Sequence, residues 1–172
     1  MHLTRYHATA FLDPRSAQRV EELRRAWDPR MADQIAAHIT LIYPEEIADP
    51  SDLIAQVNRA AARTGPFSVV IGSPTHVGNP ADGVFLAVDD VAGGIRSFRE
   101  SAVPAGHAID FQPHVTIVHP RTSGHGEQAW NELAGIHLDT RFTITDVAIT
   151  AYDGKSWPTL QTVPLTGRLA PD

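Results

Sequence analysis

His38-Ile39-Thr40-Leu41-Ile42-Tyr43-Pro44 has a near copy further along the chain, His114-Val115-Thr116-Ile117-Val118-His119-Pro120. The first, third and seventh residues are identical, and one aliphatic residue replaces another at the second, fourth and fifth positions. Aliphatic and β-branched runs of this length, each stopped by proline, read as strands. One such run specifies little. Two in one chain imply a duplicated lobe in which each copy contributes a histidine.

Working outward from the first copy, residues 3–12 read as a strand bounded by Asp13-Pro14. Ala17, Val20, Leu23 and Trp27 then recur at near-helical spacing, predicting a helix over 16–27 that Asp28-Pro29 ends. The first copy is expected as a strand over 35–43. Asp49-Pro50-Ser51 opens a helix that Gly65-Pro66 closes. Around the second copy, strands are expected over 67–72 and 84–88, with a turn-rich loop between them. A helix over 91–103, a strand over 111–119 and a helix over 126–134 follow. Strands over 141–152 and 159–165 flank the Asp153-Gly154 turn. No linker or low-complexity segment divides the halves, so residues 1–172 are expected to form one domain of two interleaved lobes sharing a core. The class is α+β or α/β, with seven or eight strands and antiparallel pairing.

Successive side chains of a strand alternate faces. His38, Thr40 and Ile42 therefore share one face, opposite Ile39, Leu41 and Tyr43; His114, Thr116 and Val118 oppose Val115, Ile117 and His119. On this alternation His119 falls on the packing side, outside the expected site. If a pseudo-two-fold axis relates the lobes, the two imidazoles face each other across a cleft. Imidazole serves as acid or base near neutral pH because its ordinary pKa is about 6.5. Cleavage of a phosphodiester needs both roles on opposite sides of an in-line displacement. Thr40 and Thr116 would donate to non-bridging phosphate oxygens.

Two other readings stay open on the residues alone. The histidines can cap or fill a sheet, with threonine present because β-branched residues suit strands. Alternatively, His114 and His119 can join His38 around zinc, against which stand the opposite strand faces and the absence of a Glu-containing histidine motif. Tyr43, Phe111, Tyr152 and Trp157 are candidates for stacking on a base, with core packing as the competing role. Arg121 is a candidate phosphate contact or a surface arginine. His7 and His76 can line the cleft, and Lys155, the only lysine, is expected in solvent beside a turn.

The net charge is -6, from 14 basic and 20 acidic residues, which excludes a general attraction to long polyanions and leaves room for a nucleotide-sized anion in a local pocket. No cysteine is present, so disulfides, thiolate metal sites and cysteine nucleophiles are excluded. No stretch has the length of a membrane span or a secretory apolar region. A cytoplasmic monomer with no membrane association is expected.

The two His-x-Thr motifs, in HITLIYP at 38–44 and FQPHVTIVHP at 111–120 with Pro113 just before the second histidine, resemble those of the 2H phosphoesterase superfamily. That superfamily includes 2′-5′ RNA ligase-like proteins and cyclic nucleotide phosphodiesterases. The resemblance spans about 3–165. It implies an α+β bilobal fold, two pseudo-symmetric lobes with mainly antiparallel sheets lining a central cleft and helices outside. It further implies His38 and His114 as acid and base, Thr40 and Thr116 on the phosphate, and no metal or other cofactor. Members act on 2′,3′-cyclic phosphates, ADP-ribose cyclic phosphate or 2′-5′ linkages, and some ligate in reverse. The implied partner is a small nucleotide or cyclic phosphate, or an RNA end, although the negative charge argues against a large RNA. Arg121 lies further along than the arginine that commonly follows the second motif in ligase-like members. A non-catalytic nucleotide-binding module on the same fold and a His-ligated metal-dependent hydrolase are the alternatives.

Overall fold

The computed structural model describes residues 5–110 and 112–168, so Phe111 lies outside the described residues, as does the start of the strand expected over 3–12. The elements are β1 (Tyr6–Phe11), α1 (Pro14–Trp27), α2 (Pro29–Gln34), β2 (His38–Ile42), a 3₁₀ turn (Pro44–Glu46), α3 (Pro50–Arg63), β3 (Phe67–Val77) and β4 (Gly83–Asp89). They continue with α4 (Gly94–Ala102), β5 (His114–Val118), α5 (Gly126–Leu133), β6 (Thr140–Ile144), β7 (Asp146–Ala151) and β8 (Thr159–Pro164).

Three Asp-Pro pairs start three helices. Asp13, Asp28 and Asp49 each accept a backbone N–H of the following turn, while the proline occupies a first-turn position whose N–H has no helical partner. Asp28-Pro29 therefore ends α1 and also starts α2, a helix that the sequence reading merges into the approach to a strand. The first motif strand is shorter than expected for this reason, beginning at His38. β3 is longer than expected and runs through Gly72, Ser73 and Pro74, because a register shift between Ile71 and Pro74 accommodates a residue with no N–H to donate. α4 begins at Gly94, since Gly93 with φ +66° turns the chain into it.

All eight strands form one antiparallel sheet in the order β6-β3-β4-β5-β2-β1-β7-β8. The two motif strands are the central pair. Each half contributes four strands, and β1-α1-β2 corresponds to β4-α4-β5. The two lobes expected to share one core are the two halves of this sheet. The strand expected over 141–152 is in fact β6 and β7, separated by Thr145 alone, although β6 is one end of the strand order and β7 is next to the other. Consecutive Cα atoms are about 3.8 Å apart, so the sheet must curl enough to bring the end of β6 beside the start of β7 at Thr145. Each helix of the corresponding pair reaches across the seam, α1 against β5 and α4 against β2. A single apolar cluster takes in Val20 and Leu23 of α1, Ile95 and Phe98 of α4, and Ile39, Leu41, Val115 and Ile117 of the seam. Among the described residues no helix is long and apolar enough to cross a membrane.

Candidate active site

Both motif strands carry the same irregularity. β1 meets β2 at Ala8–Ile42 and then at Thr9–Thr40, leaving Leu41 as an extra residue. β4 meets β5 at Val84–Val118 and then at Phe85–Thr116, leaving Ile117 extra. An inserted residue breaks strict alternation. Leu41 and Ile42 are accordingly buried one after the other, and so are Ile117 and Val118. Ile42 and Val118 therefore do not share the face of the histidines, as strict alternation requires, and Tyr43 and His119 come round to that face. Both line the central cavity, so the exclusion of His119 by strand alternation is overturned.

β2 and β5 pair antiparallel through Ile39 and Val115. This register sets His38 beside Thr116 and Thr40 beside His114, with the two histidines on one diagonal and the two threonines on the other. The Nδ1 of His38 donates to the carbonyl of Ala36 at 2.7 Å, and the Nδ1 of His114 donates to that of Gln112 at 2.8 Å. A carbonyl can only accept, so each ring carries its proton on Nδ1 and leaves Nε2 for chemistry. His38, Thr40 and Thr116 line a cavity of about 380 Å³ together with Tyr43, Arg121, Tyr152 and Trp157, the four further residues picked from the sequence. His114 is not part of that wall. It stands beside Thr40 across the seam with its ring edge-on to Phe85, centroids 4.9 Å apart.

The halves differ around their histidines. His7 stacks on Trp157 at 4.1 Å and 14°, lies 5.7 Å from the His38 ring, and hydrogen-bonds Thr150 through Nδ1 at 2.7 Å. From the matched bulges, the corresponding residue of the other half is Gly83. One face of Trp157 is thus already covered, and Tyr152 is held by its hydroxyl donating to the Gly154 carbonyl. Burial pushes His7 down to about 4. His38 is only half-buried by surface, yet its ring is enclosed by His7 and Phe11, and burial with the neighbouring His7 charge pushes it down to about 3. Burial also lowers His114 and His119. Tyr43 is pushed up to about 12 by burial and stays a hydroxyl donor at neutral pH. Of the other histidines, His76 is away from the cleft, against Trp130 and the Gly78 carbonyl. Lys155 is exposed beside its turn.

The sequence profile of the 2′-5′ RNA ligase superfamily matches residues 12–156. The chain belongs to that superfamily. No curated protein matches it. Among solved structures, TT0787 of Thermus thermophilus is similar with TM-score 0.68 and 16% identity, over 95% of this chain and 99% of that one. E. coli LigT complexed with NADP+ gives TM-score 0.64 and 16% identity over 95% and 98% of the two chains. A structure described as a phosphoesterase gives 0.62 and 16% over 95% and 99%. These likenesses establish the shared fold.

In this member of the 2′-5′ RNA ligase superfamily each half is braced by the other. Asp28, fully buried between α1 and α2, accepts from the His119 N–H at 3.0 Å and from the Thr122 hydroxyl at 2.5 Å, pinning the exit of β5. Arg99 of α4 donates to the Leu41 carbonyl at 2.7 Å and to both oxygens of Glu46, pinning the exit of β2. Among the described residues no group of three or more His, Asp or Glu is placed to hold a metal ion. Besides His119, the sequence reading missed Arg5 and Arg30 on the cavity wall. The place of His119 in the repeat, equivalent to that of Tyr43, was the one available signal.

His7 makes stability depend on pH. Its neutral form fits the buried stack, so its folded pKa, about 4, lies below its ordinary value. The unfolded chain binds the extra proton between those values, and stability present above pH 6.5 is lost as pH falls toward 4. Acidification from pH 6.5 to 5 is expected to cost about 2 kcal/mol through this ring. His7→Asn, which keeps a partner for Thr150, should remove this ring's share of the slope in urea melts across this range and leave the share of His38. An unchanged slope would contradict the assignment.

Proposed function

We propose that the chain is a metal-independent phosphoesterase that opens a 2′,3′-cyclic phosphate or cleaves a 2′-linked phosphodiester of a nucleotide or RNA end. His38 and His114 act as acid and base, and the same chemistry run backwards is 2′-5′ ligation. The observation that carries this is the diagonal pair of imidazoles, each with Nδ1 tied to a carbonyl two residues back. One Nε2 takes the proton of the attacking oxygen while the other protonates the departing ribose oxygen, and each role contributes roughly 10² to 10⁴ in rate. Thr40 and Thr116 donate to the non-bridging oxygens, where charge is held in the transition state.

Charge around the cleft supports a small anionic substrate. Arg5, Arg30 and Arg121 line the cavity, and Glu45 is the single carboxylate on its wall. Arg5 is paired with that carboxylate at 3.1 Å, which leaves Arg30 and Arg121 for substrate phosphate. LigT has been crystallised with NADP+, 3′-AMP, ATP and phosphate, each of which carries phosphate. A cytoplasmic monomer acting on small nucleotides fits this reading.

The deciding experiment incubates the protein with 2′,3′-cyclic nucleotides, ADP-ribose cyclic phosphate and 2′-5′ oligonucleotides, and reads product by mass. Turnover of any of these that persists in excess chelator is expected. Binding without product would leave a nucleotide-binding module, and loss of activity in chelator would leave a metal-dependent hydrolase. Because burial lowers both catalytic imidazoles, the bell of kcat/KM is expected to centre below pH 6.5. A bound phosphate anion favours the charged ring, so the kcat bell should lie at higher pH. Matched bells centred above pH 7 would contradict the proton assignment.

A further inference from the structure

A second cavity, about 810 Å³, lies at the start of β3 and shares no residue with the catalytic cleft. Arg63 ends α3, Arg141 lies on β6 and Arg168 follows β8, and all three line it. Among the described residues no acidic one does. None of the three arginines forms an ion pair among the described residues. Asp90, which precedes α4, is occupied by the backbone N–H groups of Ile95 and Arg96.

The cavity is built by two close approaches that side chains would prevent. A Cβ on Gly94 would sit 2.0 Å from the Phe67 ring, and one on Gly167 would sit 2.3 Å from the Arg63 carbonyl carbon. The first seats the start of α4 on the ring of β3. The second seats the chain end on α3, where the Gly167 N–H donates to the Ala61 and Thr64 carbonyls, and so brings Arg168 to the wall that Arg63 also lines. Hydroxyls complete the lining: Ser97, the cross-strand pair Ser68 and Thr143 with oxygens 3.3 Å apart, and Thr64. Thr64 is 5% exposed and its hydroxyl has no hydrogen-bond partner among the described residues.

We propose that this cavity is a second binding site, for a small anion carrying two or more phosphate groups. Guanidinium forks match phosphate oxygens in bidentate geometry. Three of them without a counter-charge exceed what one carboxylate neutralises and suit a diphosphate. The volume is that of a nucleotide-sized ligand. In a chain of net charge -6 the overall field repels anions, so the attraction has to be local. The site does not depend on the phosphoesterase reading, since it uses none of the cleft residues.

The test is an NMR titration of the full chain with inorganic pyrophosphate, following backbone amides. Shifts at Thr64, Ser68, Gly93, Gly94 and Thr143 are expected to saturate, to weaken with added salt, and to follow a curve separate from shifts around Thr40 and Thr116. Loss of a guanidinium should weaken the first curve about tenfold, as expected for a hydrogen bond to a charged group. Arg141→Gln with Arg168→Gln should therefore abolish it at millimolar pyrophosphate and leave the cleft curve in place. Ser97→Asp, which removes none of the arginines and adds a carboxylate at the wall, should weaken it as well. Absence of shifts at these amides, or shifts unchanged in both variants, would overturn the proposal whatever happens in the cleft.

Discussion

Alanine at His114 is expected to lower turnover by roughly 10²- to 10⁴-fold, with the thermal melt little changed. His114 is half-buried, and its ring contacts Phe85 edge-on without filling the apolar cluster, so its loss removes chemistry before it removes packing. His38→Ala should fall into the same range. On the proposed mechanism the two rings serve one displacement, and once either proton transfer is lost the other has little left to accelerate, so the double variant should be scarcely worse than the poorer single one. On the same mechanism Thr40→Ala and Thr116→Ala each remove one donor to the transition-state charge, with expected losses of about 10²-fold. Wild-type kcat in His114→Ala would end the paired-histidine account, and additive losses in the double variant would show that the rings act in separate steps.

The repeat made the centre of the molecule legible. Identical residues at the same positions of two strands predicted that the copies would be related, and the seam from Ile39 to Val115 is where the halves meet. What the sequence concealed was the bulge. Leu41 and Ile117 look like ordinary strand residues, and nothing in an aliphatic run marks the one with no partner opposite it. Strict alternation consequently put His119 on the wrong face, whereas Tyr43 and Arg121, candidates by their chemistry, do lie on the cavity wall. The break at Thr145 was hidden for a related reason: residues 140–151 are rich in β-branched residues with Asp146 as the single acidic interruption, and only the curl of the whole sheet decides that β6 and β7 belong to opposite halves. α2 was legible in principle, because Asp28-Pro29 carries the same start signal as Asp13-Pro14 and Asp49-Pro50, but the pair serves equally as a stop for the helix before it. His7 could be named from the sequence as a cleft candidate. Its role opposite His38 depends on the Trp157 stack, which joins residues far apart in the chain.

Arg99→Met is expected to cost about 3 to 5 kcal/mol at pH 8, a large share of the stability of a chain this size. Glu46 is fully buried, and burial alone would raise its pKa. Two bonds from Arg99, at 2.6 and 2.9 Å, and the N–H groups of Tyr43 and Ile109, each at 3.0 Å, outweigh burial and hold the carboxyl below its ordinary range. In the wild type this group therefore contributes stability above its unfolded pKa that is lost as pH falls through its lower folded value. Without Arg99 the sign reverses. The carboxylate is left buried with only two amide donors, burial raises its pKa, and protonation relieves the strain as the solution is acidified. The gap between variant and wild type should accordingly be widest at pH 8 and narrow toward pH 5, as measured by urea melts. Adding Glu46→Gln to Arg99→Met should recover part of the loss at pH 8, since it removes the unpaired charge while keeping an acceptor for one of the two amides. A gap under about 1 kcal/mol at pH 8, or one that does not change with pH, would mean that the pair does not brace β2. The consequence reaches the cleft, because Arg99 also holds the Leu41 carbonyl in the bulge that turns Tyr43 toward the cavity. KM should therefore rise in Arg99→Met under conditions where the variant is still fully folded, which separates loss of the brace from loss of the fold.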